Sequence, residues 1–239
     1  MALWRYPVKS LQGEQLSAAD VDDRGLVGDR RWALVDDATG LVLTARRVPG
    51  LLGASARLDQ SAAAVVVLPD GRETTDDDEL SAWLDRPVRL TSAQAGVRGT
   101  YETPIDFEHE ASSEWLSWQG PEASFHDSTN TQISILSTGS IGDWDTRRFR
   151  PNVVVDGQGE TSWVGCRVAI GGVIADVVKE IDRCVITTRE QPGGIVRDLD
   201  VLRSINESGG NLGVGALVVE PGTCAVGQTV TVRGSTEVL

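Results

Sequence analysis

The sequence predicts a β-rich α+β fold, and three observations carry that reading. Short apolar runs alternate with turns containing Gly, Asp and Pro along most of the 239 residues. Several of these turns carry G-G, D-G or P-G punctuation. Helical periodicity is confined to three brief stretches.

Taken in order, "RWALVDDATGLVLTA" reads as a hairpin whose loop, Asp36 to Gly40, ends on a glycine suited to positive φ. "AAAVVVLPDGRETT" repeats the pattern and turns at Pro69-Asp70-Gly71. "TTDDDELSAWL" predicts a helix, with acids in its first turn and Leu80, Trp83 and Leu84 at helical spacing. From about Ala93 to Gly120 the chain reads as irregular, the best place for a junction between an N-terminal and a C-terminal part. "STGSIGDWDTRRF" predicts a short helix capped by Ser137 or Thr138 and weakened by Gly139 and Gly142. Strands follow in "RPNVVVDGQGE", "RVAIGGVIADVVKE", "CVITTRE", "GALVVEPGT" and "QTVTVRG". A third helix is expected in "DLDVLRSINESGG", capped near Asp198 and ended by Gly209-Gly210.

Acids outnumber bases by 35 to 22, a formal charge of −13. That argues against general binding to nucleic acid or to an anionic membrane, since both need excess positive charge. A local basic pocket for a small anion is compatible with it. The opening "MALWRYPVKS" meets charge too early for a signal peptide, and no apolar stretch approaches the roughly 20 residues of a membrane span. Cys166, Cys184 and Cys224 are odd in number and lack paired zinc-type spacing, so a reducing cytoplasm is expected. Only His109 and His126 are present, which excludes a site built from several imidazoles.

Four constellations concentrate cations beside turn residues: Lys9 and Ser10 in "YPVKS", Asp29 and Arg30 in "GLVGDRRW", Arg148, Arg150 and Asn152 in "RRFRPN", and Arg183 with Cys184 in "DRC". Arginine forks and lysine recognise phosphate or polar heterocycles, and a thiolate binds a soft metal. A guanidinium beside a thiol favours the thiolate. Taken singly, each is ordinarily a surface ion pair or a packing thiol. Pro151 should hold the chain extended, with Arg150 and Asn152 pointing the same way at a strand start.

Together the segments resemble the MOSC proteins, and more closely those with an accompanying N-terminal β-barrel domain. "LWRYPVKSLQGE" and "RGLVGDRRWALVDDATGLVLTAR" are similar to the N-terminal module. "FHDSTNTQISILSTGSI", "RRFRPNVVVDG", "SWVG", "RCVITT", "VLRSI" and "EPGTCAVGQTV" are similar to the MOSC domain, in order. The resemblance implies an N-terminal barrel-like β module over 1–95, packed against a MOSC β-barrel over 96–239. It further implies a molybdenum cofactor of the molybdopterin type, as in the amidoxime-reducing relatives. Cys184 would be the catalytic metal ligand. Arg183 would contact the pterin-phosphate, and Lys9, Ser10, Arg30, Arg150 and Asn152 would hold pterin and phosphate. Ser128 and Thr129 of "HDST" match a cofactor-contacting turn less well. Pyridoxal phosphate binding is a family-level association only.

The implied activity is reduction of small N-hydroxylated compounds, hydroxylamines or amidoximes. The chain stops at Leu239 without the ferredoxin-like extension of some relatives, so a separate ferredoxin- or flavin-type donor is expected. Two other readings stand beside it: a sulfur carrier with a persulfide on Cys184, which needs no bound pterin and leaves the cations unexplained, and a non-catalytic carrier of the cofactor, which would use the same binding residues. Where relatives have a Gly-X-Tyr element this sequence has Gly215, and Cys166 and Cys224 match no ligand position.

Overall fold

A computed structural model describes residues 1–107 and 109–235, and the chain divides into two compact units. The first comprises Met1–Tyr6, Gln12–Asp29 and Asn130–Leu239; the second comprises Pro7–Leu11 and Arg30–Thr129. The fold is β-rich α+β, as the punctuated apolar runs predict.

The first unit is organised by an eight-stranded sheet. Its order is Val230–Ser235, Cys166–Ile170, Val173–Asp182, Asn211–Glu220, Ile133–Ser137, Val153–Val155, Ala2–Arg5 and Glu14–Leu16. Neighbours are antiparallel except Ile133–Ser137 with Val153–Val155, which run parallel. The run of three valines is buried on both faces, and its alternation divides two cores. Val153 and Val155 join Leu3, Ile133, Ile135, Val214 and Ala216 on one face. Val154 packs with Leu136, Ile141, Phe149, Val201 and Ile205 on the other.

Val201 and Ile205 lie one turn apart on the Asp200–Glu207 helix, which presents them to that second core. Asp198 accepts a hydrogen bond from the Asp200 amide at the helix start. Gly209 and Gly210 end it at positive φ, where the Gly210 amide reaches back to the Ile205 carbonyl. The Thr138–Ile141 helix is a single turn capped by Ser137 and stopped at Gly142, with a separate 3₁₀ turn at Thr146–Arg148.

"CVITTRE" is not a strand. Val185–Thr188 is a 3₁₀ turn with Cys184 at its N-cap. The Thr187 hydroxyl donates to the Cys184 carbonyl and the Thr188 hydroxyl to the Val185 carbonyl, each three residues back. These local bonds give the backbone an alternative to a ladder and override the β propensity of the Val-Ile-Thr-Thr run.

In the second unit, Ser55–Leu58, Ala64–Val67 and Glu73–Thr74 form a small sheet whose last turn passes through Gly71 at φ +85°. The Asp77–Leu84 helix is capped by Asp76, which accepts from the amides of Asp78 and Glu79. The hairpin predicted at 31–45 turns where expected, with Gly40 at φ +71°, but its second limb makes one bridge, Val35 to Val42. The full partner of Trp32–Asp36 is Val88–Ser92.

The stretch read as irregular is a long antiparallel pair, Arg98–Pro104 with Trp115–Glu122. Its apolar signal is narrow. Tyr101 stacks on the cross-strand Trp118 at 4.7 Å, and its ring covers Gly120 so closely that a Cβ there would lie 2.4 Å from it. The other side chains are largely polar or exposed, which hides the pairing from a hydrophobicity reading.

Candidate functional site

In the second unit, backbone pairing gathers three segments far apart in sequence. The Lys9 amide donates to the Trp32 carbonyl and the Trp32 amide to the Pro7 carbonyl. The Phe125 amide donates to the Arg30 carbonyl, which brings the His126–Thr129 segment to the same place. Lys9, Ser10 and Arg30 therefore belong to one neighbourhood with Ser128 and Thr129. Lys9 is buried, 5% exposed, and its ammonium donates to an Asp127 carboxylate oxygen at 2.5 Å. The same ammonium stands 4.9 Å over the Tyr101 ring. The Ser10 hydroxyl oxygen accepts from the Ala45 amide at 2.9 Å, which leaves its proton to donate elsewhere.

Burial pushes the Tyr101 phenol well above its ordinary range, with the Asp127 charge adding to it. Its oxygen is buried and unpartnered among the described residues. Tyr101 thus faces Lys9 as an apolar, permanently neutral ring.

Ser10 and Arg30 share a backbone feature with Arg150 of the first unit. All three adopt positive φ, at 69°, 49° and 53°, a region that non-glycine residues rarely enter. The described chain has six such non-glycine residues, and one of the others, Asp85, is an ordinary helix C-cap. Each left-handed residue costs of order 1 kcal/mol, and such strain gathers where a side chain must be aimed. The extended path expected for Arg150 before Pro151 is therefore wrong. The left-handed backbone carries the guanidinium to 4.4 Å over the Tyr6 ring instead.

Asn152 is fully buried and serves the sheet: its side-chain oxygen accepts from the Ser134 amide and hydroxyl. Arg183 donates to the carbonyls of Leu212, twice, and Phe149. Arg148 is buried and donates to the carbonyls of Thr187, Arg189 and Val196. Arg147 pairs with Asp145 and reaches the carbonyls of Pro192 and Gly193. Arg147 and Arg148 thereby tie down the loop that begins at Cys184. The Cys184 thiol is free and part-exposed at the start of that loop.

Val185 and Thr188, immediately after Cys184, line an open cleft of about 520 Å³ with Leu199, Leu202, Arg203, Asn206 and Glu207. Leu199 and Val196 are exposed apolar residues of the same loop and helix start. Gly215 has Thr131 against it: a Cβ there would lie 2.5 Å from the threonine hydroxyl, so no side chain fits unless Thr131 moves. Cys224 sits in the apolar core, where burial, and secondarily Asp20, push its thiol pKa up. That environment is structural. Among the described residues no three His, Cys, Asp or Glu side chains gather into a metal-holding group, and no helix is long and apolar enough to cross a membrane. The sequence reading missed Asp127, Tyr101 and Tyr6. The one available signal was the carboxylate directly preceding Ser128-Thr129.

Residues 1–117 match the MOSC N-terminal beta barrel domain family and residues 122–231 match the MOSC domain family. The chain belongs to the MOSC proteins that carry the N-terminal β-barrel domain. It is 26% identical to human (Homo sapiens) mitochondrial amidoxime-reducing component 1, over 97% of this chain and 82% of that one. It is 24% identical to bovine (Bos taurus) mitochondrial amidoxime reducing component 2, over 85% of this chain and 70% of the relative. Among solved structures, the YUAD protein of Bacillus subtilis aligns over 98% of this chain and 94% of its own, at 14% identity and a TM-score of 0.47.

Proposed function

We propose that this MOSC protein is a molybdenum-cofactor-dependent oxidoreductase that reduces N-hydroxylated compounds with electrons from a separate redox protein. The observation that carries the reading is backbone strain: Ser10, Arg30 and Arg150, three of the residues the family resemblance assigns to the cofactor, stand at positive φ. Holding two arginines and a serine there has a cost that aimed side chains explain.

The donor set fits a pterin phosphate. Lys9 and Arg30 would offer cations, and Ser10, Ser128 and Thr129 neutral donors, to the phosphate oxygens. Arg150, steadied on Tyr6, would lie against the flat polar heterocycle. Cys184 would give a single thiolate to the metal, whose remaining ligands come from the cofactor itself. Asn152 and Arg183 fit less directly, because Asn152 binds the Ser134 amide and hydroxyl and Arg183 the Leu212 and Phe149 carbonyls; their part would be to fix Arg150 and Cys184.

When bound, the cofactor would supply the two-electron metal chemistry that cleaves an N–O bond. The chain's own residues would do the rest. Arg148 and Arg147 hold the Cys184 loop in place through its carbonyls. The cleft after Cys184 would seat the apolar body of a substrate against Val185, Leu199 and Leu202, with Asn206 and Glu207 at its polar edge.

Two assays test the proposal on protein from a host able to make the cofactor. Such protein should turn over a hydroxylamine or amidoxime with a strong artificial reductant such as reduced viologen, and stay silent without a donor. Molybdenum-loaded protein that reduces no N–O compound with any donor, while metal-free protein forms a transferable Cys184 persulfide, would establish the sulfur carrier instead.

A further inference from the structure

Lys9 and Asp127 form a lopsided pair. The lysine is 5% exposed and the aspartate side chain 82% exposed. The cation is fixed by the fold, with Tyr101 under its ammonium and the Trp32 carbonyl on its amide. The carboxylate stands in water on the segment that continues into Ser128 and Thr129.

We infer that Asp127 is a resident counter-anion, which occupies Lys9 when no ligand is bound and is exchanged for the phosphate of an incoming one. The inference rests on the reading that Lys9 serves an anionic ligand. A buried ammonium is strongly destabilising without an opposite charge beside it, so Lys9 needs an anion in both states. A phosphate that joined Asp127 there would crowd two anions onto one ammonium, and their mutual repulsion favours replacement. Water is at hand for the exchange, because the carboxylate is already largely exposed where it meets the ammonium. At Lys9 the charge-assisted hydrogen bond to Asp127 is exchanged for one to the phosphate, with no covalent step.

Selectivity follows from the exchange. A monoanionic carboxylate offers Lys9 nothing that Asp127 does not, so it gains no net interaction. A phosphate dianion carries more charge and more acceptor oxygens, and the Ser10 proton is available to it. Asp127 thus raises the threshold for binding and filters out weak anions.

The test uses full-length cofactor-free protein as wild type, Asp127→Asn and Lys9→Met, with inorganic phosphate and acetate as probes, read by titration calorimetry and by phosphate-dependent Tm. Asp127→Asn should bind phosphate about five- to tenfold more tightly than wild type, the low end for a charge-assisted bond because Asp127 is largely hydrated. It should also melt below wild type in phosphate-free buffer and recover on adding phosphate. Acetate should bind the wild type negligibly, and Lys9→Met should show no phosphate-dependent shift. Equal phosphate affinity in wild type and Asp127→Asn, or none in either, overturns the exchange, and that comparison decides even where Lys9→Met does not fold. Pterin content, measured separately on protein from a cofactor-making host, keeps the two readings apart. Pterin present with unchanged phosphate affinity sinks the exchange alone. A gain on Asp127→Asn with no pterin sinks the cofactor reading alone.

Discussion

Lys9 of the second unit and Arg148 and Arg183 of the first are held in opposite ways. In the second unit, Lys9 is held by an exposed carboxylate side chain, Asp127, with an aromatic ring beneath it. In the first, Arg148 and Arg183 donate to the carbonyls of Thr187, Arg189, Val196, Leu212 and Phe149, while Arg147 adds the carbonyls of Pro192 and Gly193 to its pair with Asp145. A carbonyl is part of the fold and cannot leave. The comparison teaches that counting arginines does not locate an anion site; what their donors bond to does. Arg150 differs from Arg147 and Arg148 in its aromatic contact: its guanidinium lies 4.4 Å over the Tyr6 ring.

The most damaging way to probe the contrast is Arg148→Ala. It leaves three carbonyls of the Cys184 loop without their buried donor, and a loss of about 3 kcal/mol in unfolding free energy is expected. Arg148→Lys should restore only part of it, because a single ammonium cannot span carbonyls that a guanidinium fork reaches together. Chemical denaturation of both variants checks this, and near-wild-type stability in Arg148→Ala would remove the structural half of the comparison.

Next in size is the effect on cofactor. Arg150→Ala should weaken retention roughly ten- to a hundredfold, the equivalent of one charge-assisted contact of about 1.5–3 kcal/mol. Arg147→Ala should retain cofactor far better. Stability should separate two variants that lose the same side chain: Arg150→Gly should melt above Arg150→Ala, because glycine adopts the left-handed backbone at φ 53° without the strain of about 1 kcal/mol that alanine keeps. Pterin content and melting curves measured on the same preparations test both, and equal pterin in the two alanine variants would count against Arg150.

The smallest expected effect is on pH dependence. The hydrogen bond from Arg147 holds the Asp145 carboxyl below its ordinary 3.8. A carboxyl whose pKa is depressed on folding contributes stability that is present above the unfolded value and lost as pH falls through the folded one. The Tm difference between wild type and Asp145→Asn should be steady near neutrality and shrink as pH falls below about 3.8. A gap that persists unchanged at lower pH would mean Asp145 acts through its shape and not its charge.

Much of the fold was legible because turn chemistry is local. Gly71 and Gly40 announced their turns, and the Gly171-Gly172 pair separates two strands as read. Two misreadings have separate causes. In "CVITT" the Thr187 and Thr188 hydroxyls bond back three residues and defeat β propensity. In the Arg98–Pro104 pair, one stacked tyrosine over a glycine replaces an apolar stripe. The candidate site was legible as residue types but not as partners. Nothing near Arg183 in sequence reveals that Leu212 and Phe149 take its donors, and nothing near Lys9 points to Asp127, 118 residues away. Arg150 shows the converse: the local rule for a residue before proline was clear, and the fold overrode it.

The central claim is that this chain holds a molybdenum cofactor through Cys184 and an independent set of phosphate anchors. Its most direct test is molybdenum and pterin content, measured together on wild type and Cys184→Ala from a cofactor-making host. The account predicts molybdenum and pterin in near-equal amounts in the wild type. In Cys184→Ala the metal should be lost while part of the pterin stays, because Lys9, Arg30 and Arg150 are untouched. Full molybdenum content and full activity in Cys184→Ala would contradict it.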